Sequence, residues 1–288
     1  MRYPLITDRN VLVTGCSSGI GWATAVHLRE RGWNAIPTAR KDADLAKLIA
    51  AGFQPLRLDV ADAESVRAAA EEALRRFDQR PGALVNNAGY GQPGAIEDLS
   101  REAMRRQFEV NVVGLQDLTN RFLPVFRRLG RGRIVNVSSV LGRISLPFMG
   151  IYSASKFALE AVSDALRVEL SASGIAVSIV EPGPIRTAFT DNAAAAGLSN
   201  LESERSVYGE DYRRQLRRRE ENRDREHALS APPEAVAAKI HHALVSRRPR
   251  LRYPVTALAH FGALAARLLP AAAIDALMKS RWKAQRNE

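Results

Sequence analysis

Short runs of consecutive apolar residues alternate with longer stretches in which apolar positions recur every three or four residues. The first run, Val11-Leu12-Val13, predicts a buried strand, and Trp22-Ala23-Thr24-Ala25-Val26-His27-Leu28 predicts a helix. Ala35 to Thr38 predicts a second strand, residues 42–51 a short helix, and Gln54 to Leu58 a third strand. Residues 63–78 place Val66, Ala70, Ala73, Leu74 and Phe77 at helical spacing. Ala83-Leu84-Val85, Arg133 to Val137 and Ala176 to Val180 predict the fourth, fifth and sixth strands. Long helices are expected over about 101–129 and 150–172. Pro232-Pro233-Glu234 opens a helix through about Leu244, proline being tolerated in a first turn, and Arg250 to Tyr253 predicts a seventh strand. Strands that are apolar throughout are buried on both faces. In a chain of alternating strands and helices this means α/β architecture: a doubly wound parallel sheet, helices on both faces, and ligands beyond the C-terminal strand ends.

Composition narrows this picture. At 288 residues, 46% of them hydrophobic, the chain can bury one large core, and no repeat or low-complexity linker divides it. Residues 1–288 are therefore expected to form a single domain. The one cysteine, Cys16, excludes an internal disulfide and fits a reducing, cytoplasmic compartment. Its place in a turn gives it a packing role. The first ten residues carry Arg2, Asp8 and Arg9 and no long apolar run, unlike a signal peptide. The net charge of +11, mostly arginine and densest late in the chain, favours an anionic partner such as a phosphorylated cofactor or anionic lipid. No nucleic-acid recognition motif accompanies the charge, so no nucleic acid is expected, and no metal site either.

Candidate chemistry begins between the first strand and the first helix, at Thr14-Gly15-Cys16-Ser17-Ser18-Gly19-Ile20-Gly21. A strand, a glycine-rich turn and a helix together present backbone N–H groups and the positive helix end to a phosphate. Gly15 allows the turn, Gly19 a close approach to a pyrophosphate, and Gly21 close packing of helix on strand. Such turns also occur in plain strand–helix connections, so the rest of the chain decides. In a Rossmann dinucleotide site, the residue ending the second strand selects a ribose diol or a 2′-phosphate. Here the strand ends Thr38-Ala39-Arg40-Lys41, without an acid. Arg40 can fork onto a phosphate, with Ser17 or Ser18 donating from the turn and Lys41 nearby. NADP(H) is favoured and NAD(H) is the alternative; a solvated Arg40–Lys41 loop pair is the non-functional reading.

Tyr152 and Lys156 are four residues apart at the start of a helix and project from one face. A free phenol, with a pKa of about 10, is a poor base at neutral pH. An ammonium one turn away predicts a lowered value, which makes Tyr152 a candidate general acid/base. Ser139, thirteen residues earlier, follows the fifth strand and can hold the same substrate oxygen, with Ser138 as its near alternative.

Taken in order, these segments resemble the short-chain dehydrogenase/reductase family over about residues 8–190. They are Thr14-Gly15-x-x-x-Gly19-Ile20-Gly21, Asp59, Asn86-Asn87-Ala88-Gly89, Asn111, Ser139, Tyr152-x-x-x-Lys156 and Pro182-Gly183. The resemblance implies that Tyr152 is the general acid/base, that Ser139 polarises the substrate oxygen, and that Lys156 grips the nicotinamide ribose. It implies that Asn111 holds a water in a proton relay to Lys156. Asp59 and Val60 would flank the adenine, Asn87, Ala88 and Gly89 the adenosine ribose, and Pro182, Gly183, Ile185 and Thr187 the nicotinamide side. Many NADP-dependent members place Lys or Arg just before the second glycine, where this chain has Ser18. The turn and the Thr38-Ala39-Arg40 strand end are instead similar to hydroxysteroid and retinol dehydrogenases. The implied activity is hydride transfer between NADP(H) and a secondary alcohol or its carbonyl, on a lipophilic steroid, retinoid or long-chain carbonyl. A 3-oxoacyl reductase is the alternative, and a nucleotide-sensing binding protein without turnover the reading from another class. A homodimer or homotetramer is expected.

Residues 191–231 follow the sixth strand and are expected to form a substrate lid, with Ala193 to Ala196, Leu198, Leu201 and Tyr208 as an apolar roof. The Tyr212 to Arg219 run reads as an anion site or, with Glu220, Glu221, Asp224 and Glu226 close behind, as a solvated helix. In the tail, 254–288, Leu258, Phe261, Ala265, Leu268 and Leu269 recur at helical spacing, and Ile274, Leu277 and Met278 follow Pro270. No run reaches the roughly 20 apolar residues of a membrane span. The tail is expected to cover the pocket or a subunit contact, or else, with its terminal Lys and Arg residues, to lie on an anionic bilayer as a peripheral membrane contact.

Overall fold

The computed structural model describes residues 2–187, 189, 206–221 and 230–287. Its strands are β1 (Asn10–Val13), β2 (Asn34–Ala39), β3 (Leu56–Arg57), β4 (Ala83–Asn86), β5 (Gly132–Val137), β6 (Ile175–Pro182) and β7 (Arg252–Val255). They form one seven-stranded sheet in the order β3-β2-β1-β4-β5-β6-β7, every neighbouring pair parallel. Chain order reverses between β1 and β4, and the crevice above that switch point is where such sheets bind ligands.

The helices are α1 (Gly19–Arg29), α2 (Asp42–Ala50), α3 (Ala63–Arg76), α4 (Arg101–Phe108), α5 (Gly114–Leu129), α6 (Gly150–Glu169), α7 (Gly209–Glu221), α8 (Pro233–Val245), α9 (Ala257–Leu268) and α10 (Ala271–Asn287). Alternate strand residues face opposite sides of the sheet. Leu12, Leu84, Ile134 and Val177 pack on α3, α5 and α6, while Val11, Val13, Val85 and Val135 pack on α1 and α8. Both faces are thereby covered, as the continuous apolar runs require.

Three of the differences from the sequence expectation have a local cause. β3 is two residues long rather than five, because it is an edge strand and Pro55 beside it has no N–H to give the ladder. β7 begins two residues later than expected, since the Arg250 N–H turns to the Tyr253 hydroxyl at 2.9 Å. The expected helix over 101–129 is interrupted by a π turn at Glu109–Val113 that separates α4 from α5. Apolar periodicity cannot register one inserted residue. The next residue, Gly114, packs so tightly that an added Cβ would lie 1.7 Å from the Val60 carbonyl oxygen.

The tail forms α9 and α10. The inner face of α9 is made of small residues, Ala259 and Gly262 being buried, and a Cβ on Gly262 would lie 2.7 Å from Val140 Cγ2. Trp282 of α10 packs on Phe148 with ring centroids 4.9 Å apart. Among the described residues no helix is long and apolar enough to cross a membrane.

Candidate active site

The glycine turn is clamped by the end of β4. Thr14 Oγ1 accepts the Asn87 N–H at 2.9 Å and the Ala88 N–H at 2.8 Å. Asn87 Nδ2 returns the bond, donating to the carbonyls of Thr14 (2.8 Å) and Gly15 (3.0 Å). Gly15 and Gly19 have φ of +70° and +56°, a region that favours glycine. A Cβ on Gly21 would lie 2.2 Å from the Gly15 carbonyl oxygen, which is how close α1 comes to the turn. Ser18 precedes α1 without capping it by its side chain, so the first N–H groups of the helix stay available to an anion. This cradle fits a dinucleotide pyrophosphate. Cys16 is fully buried and donates to the Val13 carbonyl, and burial pushes its thiol up to about 12, in keeping with packing.

The turn opens on a cleft of about 1330 Å³ above the C-terminal strand ends. The residues expected to hold the cofactor and to do the chemistry line it except Asn111: Gly15, Ser17, Ser18, Gly19, Ile20, Gly21, Arg40, Lys41, Asp59, Val60, Asn87, Ala88, Gly89, Ser139, Tyr152, Lys156, Pro182, Gly183, Ile185 and Thr187. Ala39, with no acid to offer, lies at the same edge. Arg40 holds its Nη1 3.6 Å from the Asp59 carboxylate, both half-exposed or more buried, which keeps the guanidinium at the rim.

At the inner end, Tyr152 and Lys156 of α6 are both buried. Lys156 Nζ lies 5.8 Å from the Tyr152 ring centroid and donates to the Val137 carbonyl at 2.9 Å. The expected lowering of the tyrosine pKa does not come from the chain itself. Burial pushes the phenol up to about 12, opposed by a hydrogen bond with Ser139. Burial also pulls Lys156 down to about 8, opposed by the charge of Glu160. Desolvation thus outweighs the neighbouring ammonium. Of the two serines, Ser139 bonds the tyrosine and also accepts the Leu141 N–H at 3.1 Å. Ser138 turns away toward Glu160 and Gly142.

Asn111 sits in the π turn behind the cleft, fully buried. Its Oδ1 accepts the Tyr90 N–H (3.1 Å), and its Nδ2 donates to the Tyr90 carbonyl (3.0 Å) and Ser155 Oγ (3.0 Å). The side chain thus brackets the β4 loop to α6. Ser155 passes the link on, donating to the Tyr152 carbonyl at 2.7 Å.

Of the outer half of the cleft, the sequence predicts the tail, as a cover of the pocket, but not the loop residues. Tyr90, Leu141, Ile144, Leu146, Met149 and Phe189 line it, in loops whose apolar residues carry no period. From the tail come Leu258, Phe261, Leu269, Ile274, Leu277 and Met278, so the tail is a wall of the pocket. Tyr208 is not in the lining; it packs edge-on against Phe148, as does Tyr212. Arg213 and Arg217 of α7 are exposed, as in a solvated helix. Ala193 to Ala196, Leu198, Leu201, Asp224 and Glu226 lie outside the described residues.

Comparison with known proteins fits this geometry. The family model described as short chain dehydrogenase matches residues 9–197. The chain belongs to the short-chain dehydrogenase family. This short-chain dehydrogenase is 40% identical to the oxidoreductase YbbO of Escherichia coli over 274 residues, 95% of each chain. It is 34% identical to retinol dehydrogenase 16 of Mus musculus over 284 residues, covering 95% of this chain and 88% of that one. Among solved structures, a short-chain dehydrogenase from Burkholderia cenocepacia in complex with NADP shares 25% identity with a TM-score of 0.72, covering 93% and 96% of the two chains. One from Burkholderia phymatum in complex with NAD shares 28% at a TM-score of 0.73, covering 90% and 91%. A nicotinamide cofactor is thus common to the fold, and this short-chain dehydrogenase is an oxidoreductase with a Rossmann nucleotide-binding fold.

Proposed function

We propose that this short-chain dehydrogenase uses NADP(H) to interconvert a lipophilic carbonyl and its secondary alcohol, with Tyr152 as the acid/base. The observation that carries the reading is a buried Tyr152 phenol, bonded to Ser139, at the inner end of an apolar pocket. The bound nicotinamide supplies or accepts the hydride. Ser139 and Tyr152 hold the substrate oxygen between two hydroxyls. With its proton retained up to about 12, Tyr152 is set to give that proton to the oxygen as negative charge develops on it. Lys156, at the inner end of the cleft beside the Tyr152 ring, would hold the nicotinamide ribose and, while charged, favours the phenolate left behind.

The apolar residues of the outer cleft and tail favour a steroid, retinoid or long-chain carbonyl over a small polar one. The similarity to retinol dehydrogenase 16 points the same way. Arg40 and the absence of an acid at Ala39 favour NADP(H).

The test follows NADPH oxidation with decanal, all-trans-retinal and a 3-ketosteroid. Tyr152→Phe keeps the ring packing, so NADPH should still bind while turnover falls about 10²–10⁴-fold. Turnover within threefold of wild type would remove Tyr152 as the acid/base.

A further inference from the structure

Beneath Tyr152 and Lys156 lies a buried charged cluster with no part in the reaction as described. Glu160 stands one turn beyond Lys156 on α6, so the two project from one helix face. Only 4% of Lys156 and 5% of Glu160 is exposed. The Glu160 carboxylate is fixed by neighbours on three other elements. Arg252 of β7 places Nε 3.1 Å from its Oε2. The Ser138 hydroxyl after β5 faces it, and so does the charge of Arg143. Gly142 leaves it room: a Cβ there would lie 3.1 Å from Glu160 Cγ and 2.8 Å from Ser138 Oγ.

Arg252 is held in turn by Asp164, Nη2 to Oδ2 2.6 Å, and by Glu181 at the end of β6, Nε to Oε1 3.3 Å. Asp164 also binds Arg167 at 2.6 Å. Two buried carboxylates, Glu160 and Glu181, therefore face one guanidinium N–H. Burial and the charge of Glu160 raise Glu181 to about 7, and burial raises Glu160 as well, opposed by the Ser138 hydroxyl and the charges of Arg252 and Arg143. Among the described residues no carboxylate bonds Lys156 directly.

We propose that Glu160 is a positioning residue that holds Lys156 as an ammonium through space, with Arg252 anchoring its carboxylate for that purpose. The inference rests on the roles of Tyr152 and Lys156 proposed above. In a buried site a nearby opposite charge favours the charged form, so the Glu160 carboxylate one turn along the same helix face opposes the desolvation of Lys156. Without Glu160, Lys156 loses its proton at lower pH, and Tyr152 loses its cationic neighbour.

The test reads Lys156 itself in the full chain. Lysine side-chain nitrogens are followed by ¹⁵N NMR against pH, with the Lys156 signal identified by its absence in Lys156→Arg. In Glu160→Gln the Lys156 titration should fall by about 1 unit or more, and the alkaline limb of the turnover profile should fall with it. Glu181→Gln removes an equally buried acid and should leave the Lys156 titration within about 0.3 unit. An unmoved Lys156 in Glu160→Gln, or an equal fall in Glu181→Gln, overturns the proposal. Should Glu160→Gln fail to fold, the reciprocal measurement decides. Lys156→Met should raise the Glu160 carboxyl titration, read by ¹³C NMR, by about the same amount, because coupling is mutual. An unchanged Glu160 overturns it. None of these titrations depends on turnover, so a Tyr152→Phe chain that stays active defeats the acid/base reading separately.

Discussion

At the scale of single residues, burial decides more than pairing. Tyr152 and Lys156 make the point: the spacing of the pair was plain in the sequence, but the direction of the tyrosine shift was not. Spacing reports which charges are near and says nothing of how much water is excluded, and exclusion is the larger effect here. The same logic gives a stability prediction at Glu181, whose pKa rises from the ordinary 4.5 to about 7. The folded chain holds that proton more tightly than the unfolded chain. The contribution of Glu181 is therefore most favourable below pH 4.5 and is lost as pH rises through about 7. Glu181→Gln removes this dependence, so its melting temperature relative to wild type should rise between pH 5 and pH 8. Equal differences at both pH values would contradict the assignment. Arg40 offers a second residue-scale test. A charge-assisted hydrogen bond is worth about 1.5–3 kcal/mol, so Arg40→Ala should weaken NADP binding tenfold or more. NAD, which lacks the 2′-phosphate, should bind almost unchanged. A ratio of NADPH to NADH efficiency that does not move would show that Arg40 is not the reader.

Elements were legible where local chemistry and the global fold agree. β1, the glycine turn and α1 carry their signal in consecutive residues, and the structure keeps each of them. What holds the turn in place is not local. Thr14 and Asn87 meet only because β1 and β4 are neighbours at the switch point, a pairing that no single stretch announces. The π turn escaped for a related reason: its bracket, Asn111, finds partners in Tyr90 and Ser155, both distant in sequence. The clamp has a measurable consequence. Thr14→Val keeps the shape but removes the acceptor of two half-buried N–H groups, those of Asn87 and Ala88. Leaving a buried donor unpaired costs about 1–3 kcal/mol, so for these half-buried donors urea unfolding should show a loss of about 1 kcal/mol or more. NADP affinity should fall as well, since the carbonyls and N–H groups of the cradle are set by this clamp. A loss under about 0.5 kcal/mol would mean that water replaces the hydroxyl without cost.

At the scale of the whole molecule, the two halves of the cleft have different origins. The cofactor half is built from β-strand ends, where register fixes every side chain, and it was readable from motifs. The substrate half is assembled by loops and by a tail that returns across the sheet end. Phe148 is its hub. It sits at φ +60°, unusual for so bulky a residue, and is buried under the rings of Tyr208, Tyr212 and Trp282. Two sequence-distant elements, α7 and α10, are thus pinned to the residue beside Met149 and the start of α6, which carries Tyr152. Trp282→Ala cuts the ring contact that links α10 to Phe148. The tail residues Ile274, Leu277 and Met278 should then close less firmly on a long substrate. The loss of about 1.4 kcal/mol of wall contact amounts to a tenfold drop in kcat/KM for decanal, carried by KM. Propanal is too short to reach the tail and should be turned over as before, and NADPH should bind with wild-type affinity. An equal fall for both aldehydes would mean that the tail supports the fold as a whole, and a wild-type profile for both would show that the Phe148 hub does not hold the wall.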